Sequence, residues 1–363
     1  MSVDRSPTRP ARAAGTLEGY LMRTLCWTVV CSVCLLTSTL SAAGPDPAKL
    51  AQARNRGADF LRKSQSADGS WTSPNAPGIS GLCTFALLRS GVSADDPSVA
   101  KGLKHLQSFV RDDGGIYAQD SKHRNYETSI ALQAFQAANV DGRHQQVVDN
   151  AVKFLRGLQW DEEEQTPESD PAYGGQGYGS HQRPDLSNTA FFIEALRDAG
   201  IPQDDPAIQK AMVFVSRCQN MESAYNTTPF ARQVNDGGFY YTPAAGGSSQ
   251  AGLTPDGGLR SYASMTYAGL KSMIYAGVKP DDPRVKAASD WVRKFYSIQE
   301  NPGMGQQGLF YYYHTFAKAL SVMGVEQFED ADGVRHDWRQ ELASHLESIQ
   351  LDNGSWVNSE SRW

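Results

Sequence analysis

Little in this chain points to a covalent or metal framework. Of its five cysteines, three (Cys26, Cys31 and Cys34) crowd into one apolar stretch near the start, leaving Cys83 and Cys218. Two cysteines so far apart in sequence do not make the disulfide lattice that staples small secreted domains, so a hydrophobic core must hold the fold. Basic tracts are missing as well. Subtracting the four arginines and two acids of residues 1–43 from 34 basic and 40 acidic residues leaves 30 against 38. That balance gives no purchase for nucleic acid. No stretch alternates apolar and polar residues with period two, so strands are expected to be scarce. The glycine-rich segments Tyr173–Gly179, 240–260 and Asn301–Gly305 lack the lysine and the preceding strand of a phosphate loop. They are read as places where backbones pass closely, and no cofactor is expected.

What the chain has instead is helix punctuation. Helical stretches end at Gly91-Val92, Asn139-Val140, Gly200-Ile201, Gly277-Val278 and Gly324-Val325. Glycine or asparagine followed by an apolar residue is how a helix closes in a left-handed cap with a hydrophobic contact behind it. Three of these run on into Asp95-Asp96-Pro97, Asp204-Asp205-Pro206 and Asp281-Asp282-Pro283. Aspartate at the N-cap with proline in the first turn starts the next helix. The pattern predicts two sets of helices. One set (47–65, 97–110, 143–158, 206–219, 283–298, 338–350) carries charge on one face. The other (79–90, 126–138, 186–199, 261–276, 311–323) is apolar nearly all round and is therefore expected to be buried.

The start of the chain reads differently. Met22-Arg23 opens an apolar run from Leu25 to Leu40 that closes on Ser41-Ala42-Ala43. A short basic start, an apolar segment too short to span a bilayer and a small-residue cleavage site form a secretory signal pattern. Residues 1–43 are thus expected to be an extension and signal peptide, with Met22 as the working start. Residues 44–363 are expected to be one exported domain with no stable membrane span. An uncleaved anchor is the alternative.

Two stretches almost repeat each other across the chain: Phe60-Leu61-x3-Gln65-x3-Gly69-x-Trp71 and His345-Leu346-x3-Gln350-x3-Gly354-x-Trp356. Degenerate copies lie between, at Phe154-Leu155-x3-Gln159, at Phe214-Val215-x3-Gln219 and before Gly115-Ile116-Tyr117 and Gly308-Leu309-Phe310, making six. The motif resembles the Gln-Trp repeats of squalene–hopene and oxidosqualene cyclases, whose fold the protein prenyltransferase β subunits share. The resemblance covers residues 47–363. It implies an all-α toroid of about six helical hairpins, polar helices outside and buried helices inside, with the last hairpin incomplete as written. It also implies an isoprenoid-like or other hydrophobic or anionic ligand in the central cavity.

Candidate site residues come from aligning the inner helices on Thr84, Thr128, Thr189, Thr266 and Thr315. Beside and one turn before these stand Glu127, Asn188, His314, Asp185, Tyr262 and Tyr311. Arg124, Arg183 and Arg260 precede three of the helices, where converging N-terminal ends favour an anionic group. A second reading pairs the arginines with capping acids and the threonines with backbone. Pro184-Asp185-Leu186-Ser187-Asn188-Thr189 falls where the cyclases carry Asp-x-Asp-Asp-Thr. The resemblance would make the middle acid the proton donor, but here Ser187 and Asn188 stand in place of two acids, and neither supplies a strong proton. Tyr313-His314-Thr315 matches the prenyltransferase zinc histidine. Tyr262-Ala263-Ser264 offers no second ligand, so no metal is expected. Four functions remain open at this point: a ligand-binding toroid without standard cyclase chemistry, a polysaccharide lyase or glycan binder using Asn188, His314, Arg260 and Tyr262, a cyclase or transferase with a rearranged site, and a non-catalytic interaction scaffold.

Overall fold

A computed structural model describes residues 44–179 and 182–360. The signal-peptide and start-site expectations for residues 1–43 lie outside the described residues. Twelve helices run along the described chain: α1 Pro47–Ser64, α2 Pro77–Arg89, α3 Pro97–Gln107, α4 Arg124–Ala138, α5 Gln145–Arg156, α6 Leu186–Asp198, α7 Pro206–Arg217, α8 Ala231–Val234, α9 Ala263–Tyr275, α10 Pro283–Lys294, α11 Leu309–Val322 and α12 Trp338–Ser348. A two-residue antiparallel pair, β1 Phe328–Glu329 with β2 Arg335–His336, joins α11 to α12. The predicted helices are all present. The short α8 and the small hairpin were not expected from the sequence.

The architecture is an all-α toroid. Helices α2, α4, α6, α9 and α11 pack side by side in that order as the inner layer, and α1, α3, α5, α7, α10 and α12 lie outside. The middle inner helices are the most buried: α4, α6 and α9 hide Ile130, Phe192 and Leu270 completely, whereas α2 leaves Ile79 and Leu82 exposed. Among the described residues no helix is long and apolar enough to cross a membrane.

Local chemistry accounts for the helix ends. Asp96, Asp205 and Asp282 cap α3, α7 and α10 by accepting from Ser98, Ala207 and Arg284 backbone N–H groups. Gly91, Gly200, Gly277 and Gly324 take positive φ, and Val92, Ile201, Val278 and Val325 return a backbone bond to the preceding turn. The fifth expected cap is a correction. Asn139 keeps a negative φ of −85° and Val140 is 87% exposed. The Asn139 carboxamide is committed elsewhere: its Oδ1 accepts from His144 N and its Nδ2 donates to Gln145 Oε1 at the start of α5. The left-handed turn moves to Gly142, at φ +80°.

The repeated glutamines weld each loop to the next outer helix. Gln65, Gln159 and Gln219 donate Nε2 both to a loop glycine carbonyl (Gly69, Gly174, Gly237) and to a first-turn carbonyl ahead (Ser98, Ala207, Arg284). Trp71 and Trp356 fold back to donate to Leu61 and Leu346 carbonyls, each at 2.8 Å. The aligned threonines serve the same weld. Thr128, Thr189 and Thr266 accept from the N–H groups of Ile116, Gln176 and Phe239, so these hydroxyls face the loops rather than the centre of the ring.

Candidate functional site

The most elaborate polar assembly sits at the N-terminus of α6. Pro184 disfavours helix for the residue before it, and Asp185 is extended (φ −145°, ψ 160°) as the N-cap. Its carboxylate accepts from Asn188 N at 2.9 Å and from Asn188 Nδ2 at 2.7 Å. Two loops converge on this cap. Asp185 N donates to Gln176 O, and Leu186 N donates to Tyr241 O. The glycine-rich run allows this approach: a Cβ on Gly177 would lie 2.3 Å from the Gln182 carbonyl oxygen.

A cavity of about 330 Å³ opens beside the cap, lined by Tyr178, Gln182, Arg183, Asp185 and Tyr241. The Tyr241 phenol stands close to the Asp185 carboxylate and to Tyr178, and Tyr178 stands close to the Asn188 side chain. Burial pushes the Asp185 carboxyl up to about 6 despite these donors, because removing a carboxylate from water disfavours its charge. Burial and the neighbouring Asp185 raise the Tyr241 phenol as well. Arg183 stands at the rim, donating to Ser248 Oγ at 3.0 Å with its guanidinium 5.7 Å from the centre of the Tyr241 ring.

Below the cap, the face of α6 that looks into the ring carries Ser187, Phe191, Glu194 and Asp198, one helical turn apart. The Ser187 hydroxyl pairs with Tyr311 OH at 3.0 Å. Phe191 lies against Tyr126 of α4 on one side and against Tyr311 and His314 of α11 on the other, with ring centres 5.6–6.3 Å apart. One turn lower, Glu194 is fully buried between Lys271 of α9 and Lys318 of α11. Burial alone would raise the Glu194 carboxyl, but the two ammonium groups pull it well below the ordinary range. His314 is pushed down to about 4 by burial and by Lys271, so it is neutral at physiological pH. The interior of the ring thus has an aromatic layer over an ionic one.

The sequence-nominated residues fall into separate groups. Asp185, Asn188 and Arg183 meet at the cap, with Tyr311 joined to them through Ser187, and His314 stacks on Phe191 beyond. Glu127 instead anchors a loop, accepting from Ala118 N and Ser121 Oγ. Arg124 donates to Ser121 O and lies 4.9 Å from the Tyr117 ring centre. Arg260 donates to Leu253 O in the 240–260 loop and is exposed. Tyr262 is the buried N-cap residue of α9. Each of the three arginines is therefore engaged by a loop carbonyl or hydroxyl. Tyr178, Tyr241, Phe191 and Glu194 were not foreseen. A lone glutamate in Phe191-Phe192-Ile193-Glu194-Ala195-Leu196, and a lone lysine in Gly269-Leu270-Lys271, were the legible signals for the ionic layer.

The family model of the squalene-hopene cyclase C-terminal domain matches residues 72–242, which contain α2 to α8 and the Asp185 cap. The fold is squalene–hopene cyclase-like. Among solved structures, the chain is similar to a protein from Actinoplanes, with 14% identity over 85% of this chain and 83% of that one and a TM-score of 0.34. It is also similar to a type II terpene cyclase from Scytonema, solved without ligand (13% identity, 85% and 81% covered, TM-score 0.33). The same enzyme in complex with geranylgeranyl dihydroxybenzoate gives 13% identity, the same coverage and a TM-score of 0.33. No curated protein matches the sequence. Within the squalene–hopene cyclase-like frame, Asp185, Ser187 and Asn188 occupy the head of one inner helix, and only Asp185 is an acid.

Proposed function

We propose that this squalene–hopene cyclase-like toroid binds an isoprenoid-like ligand inside the ring and does not cyclise it. One observation carries the reading. At the head of α6, where a chain-initiating acid is needed, the Ser187 hydroxyl is paired with Tyr311 and the Asn188 amide with Asp185. Protonating an isolated carbon–carbon double bond demands an unusually strong acid. Asp185 has moved the other way, to about 6, and is a weaker donor than an ordinary carboxyl. An apolar wall is present nonetheless. Ile79 and Leu82 of α2 are 41% and 40% exposed, and Cys83 and Ala86 continue the same stripe. Gly78 at its head faces the Tyr126 ring, which leads through Tyr178 to the cavity.

The test compares wild type with the Ser187→Asp, Asn188→Asp double variant, each incubated with squalene and extracted for mass spectrometry. No cyclised product from wild type, together with an isoprenoid co-purifying from its native type of host, is the expected result. Turnover by wild type would overturn the non-cyclising reading. We also infer export from residues 22–43, so the mature protein should begin at or near Gly44; N-terminal sequencing that recovers Leu25–Leu40 in a cytoplasmic fraction overturns it.

A further inference from the structure

The cavity beside α6 carries chemistry that a purely hydrocarbon ligand does not need. Asp185 is 2% exposed and offers a carboxylate to the cavity wall, with oxygen lone pairs beyond those taken by Asn188. Behind it, Asn188 is 1% exposed and, from outside the lining, fixes that carboxylate with its backbone N–H and its Nδ2. A carboxylate buried at the wall of a cavity is costly to keep away from water, and its natural complement is a ligand that brings a further donor. The cation at the site points the opposite way but is weaker. Arg183 is exposed at the rim and already engaged by Ser248 and the Tyr241 ring, so water and salt screen it. A phosphate or carboxylate head would have to approach the buried Asp185 to use it.

We propose that the Asp185–Asn188 cap is the head-group subsite of the ring and that it selects a hydrogen-bond donor, a hydroxyl or amine at the end of an isoprenoid chain, over an anionic head. This rests on the reading that the ring binds an isoprenoid. The head sits between Asp185 and the Tyr178 and Tyr241 phenols. The chain then passes Tyr126 toward the exposed Ile79 and Leu82 of α2.

The experiment measures equilibrium binding of three probes with one chain length: farnesol, farnesyl diphosphate and farnesene, which has no head. Farnesol is expected to bind about tenfold more tightly than either of the others, the range of one charge-assisted hydrogen bond. Asp185→Asn should remove that advantage, bringing farnesol down to the affinity of farnesene. Asparagine caps helices as well as aspartate, and the Asn188 carboxamide can turn to meet it, so the variant is expected to fold. Arg183→Gln, at the exposed rim, should leave the ratio of farnesol to farnesene affinity as it is. Equal affinity for farnesol and farnesene, or preference for the diphosphate lost in Arg183→Gln, overturns the donor-selective subsite while the ligand-binding reading stands. Failure of all three probes to bind overturns both.

Discussion

The side-chain amide of Gln350 donates to the backbone carbonyl of Ala53, 297 positions earlier, at 2.9 Å. Its other bond, to Gly354 O, repeats the weld seen at Gln65, Gln159 and Gln219. The last motif therefore packs on the first helix as the Gln65, Gln159 and Gln219 motifs pack on the outer helix ahead of them, and a Cβ on Gly354 would meet Arg56 O at 2.3 Å. The outer layer is closed by the same device that spaces it. The seam is nevertheless thin: α1 buries only Ala58, and α12 only Trp338 and Leu342.

That difference sets an order of mutational effects. Gln219→Ala strands the Gly237 and Arg284 carbonyls in a buried place and should cost about 2 kcal/mol, whereas Gln350→Ala exposes its partners to water and should cost about 1 kcal/mol. Urea denaturation of the two variants decides it, and the reverse order would show that the seam, not the interior weld, limits stability.

Two glycines with nearly the same backbone should behave differently. Gly200 has φ +83° with open space around its Cβ position, so Gly200→Ala should cost about 1 kcal/mol of left-handed strain. At Gly174, φ +79°, a Cβ would stand 1.8 Å from Lys210 O, and the loop must part from α7. Gly174→Ala should cost roughly 3 kcal/mol or more and loosen the loop that reaches the cavity. Thermal melts of both proteins check the pair; similar losses would mean that the loop gives way freely.

The ionic layer should be costly to break and cheap to replace. Glu194→Gln leaves Lys271 buried without its counter-charge, an expected loss of about 3–5 kcal/mol. Joining Glu194→Leu to Lys271→Met removes both charges and should recover most of that loss, since the partly exposed Lys318 can turn to water. Chemical denaturation of single and double variants tests this. A double variant no better than the single one would assign the cluster a role beyond mutual neutralisation.

Acid should act on two groups in opposite senses. His314 falls from an ordinary 6.5 to about 4 on folding, so the native state holds fewer protons there and stability drops as pH falls from 6.5 toward 4. Asp185 rises from 3.8 to about 6, so the native state holds more protons and stability drops as pH rises from 4 toward 6. The two slopes oppose each other between pH 4 and 6. Asp185→Asn should expose the His314 slope, with stability climbing on the order of 2–3 kcal/mol as pH rises through the window. His314→Phe should leave the falling Asp185 slope. Parallel pH–stability curves for the two variants would refute the assignment.

The helices, their caps and their division into buried and half-polar sets were legible from the chain because their causes are local. An aspartate before a proline or a glycine after the last turn acts within one or two turns of backbone. Asn139 shows the limit even there. Its side chain had two neighbouring uses, and which one won depended on where α5 began. The absence of two acids at Ser187 and Asn188 could likewise be read directly from the order of residues.

The site itself was decided by tertiary structure. Asp185 and Tyr241 are 56 positions apart, and Glu194 is 77 positions from Lys271; nothing along the chain pairs them. Only closure of the ring brings α6, α9 and α11 together and the 240–260 loop over the α6 cap. Burial then does what sequence cannot show: it raises one carboxyl at the mouth, holds another ionised between two lysines, and keeps His314 neutral. The residue types were present in the chain, but their charge states depend on how much water the packed helices leave around them.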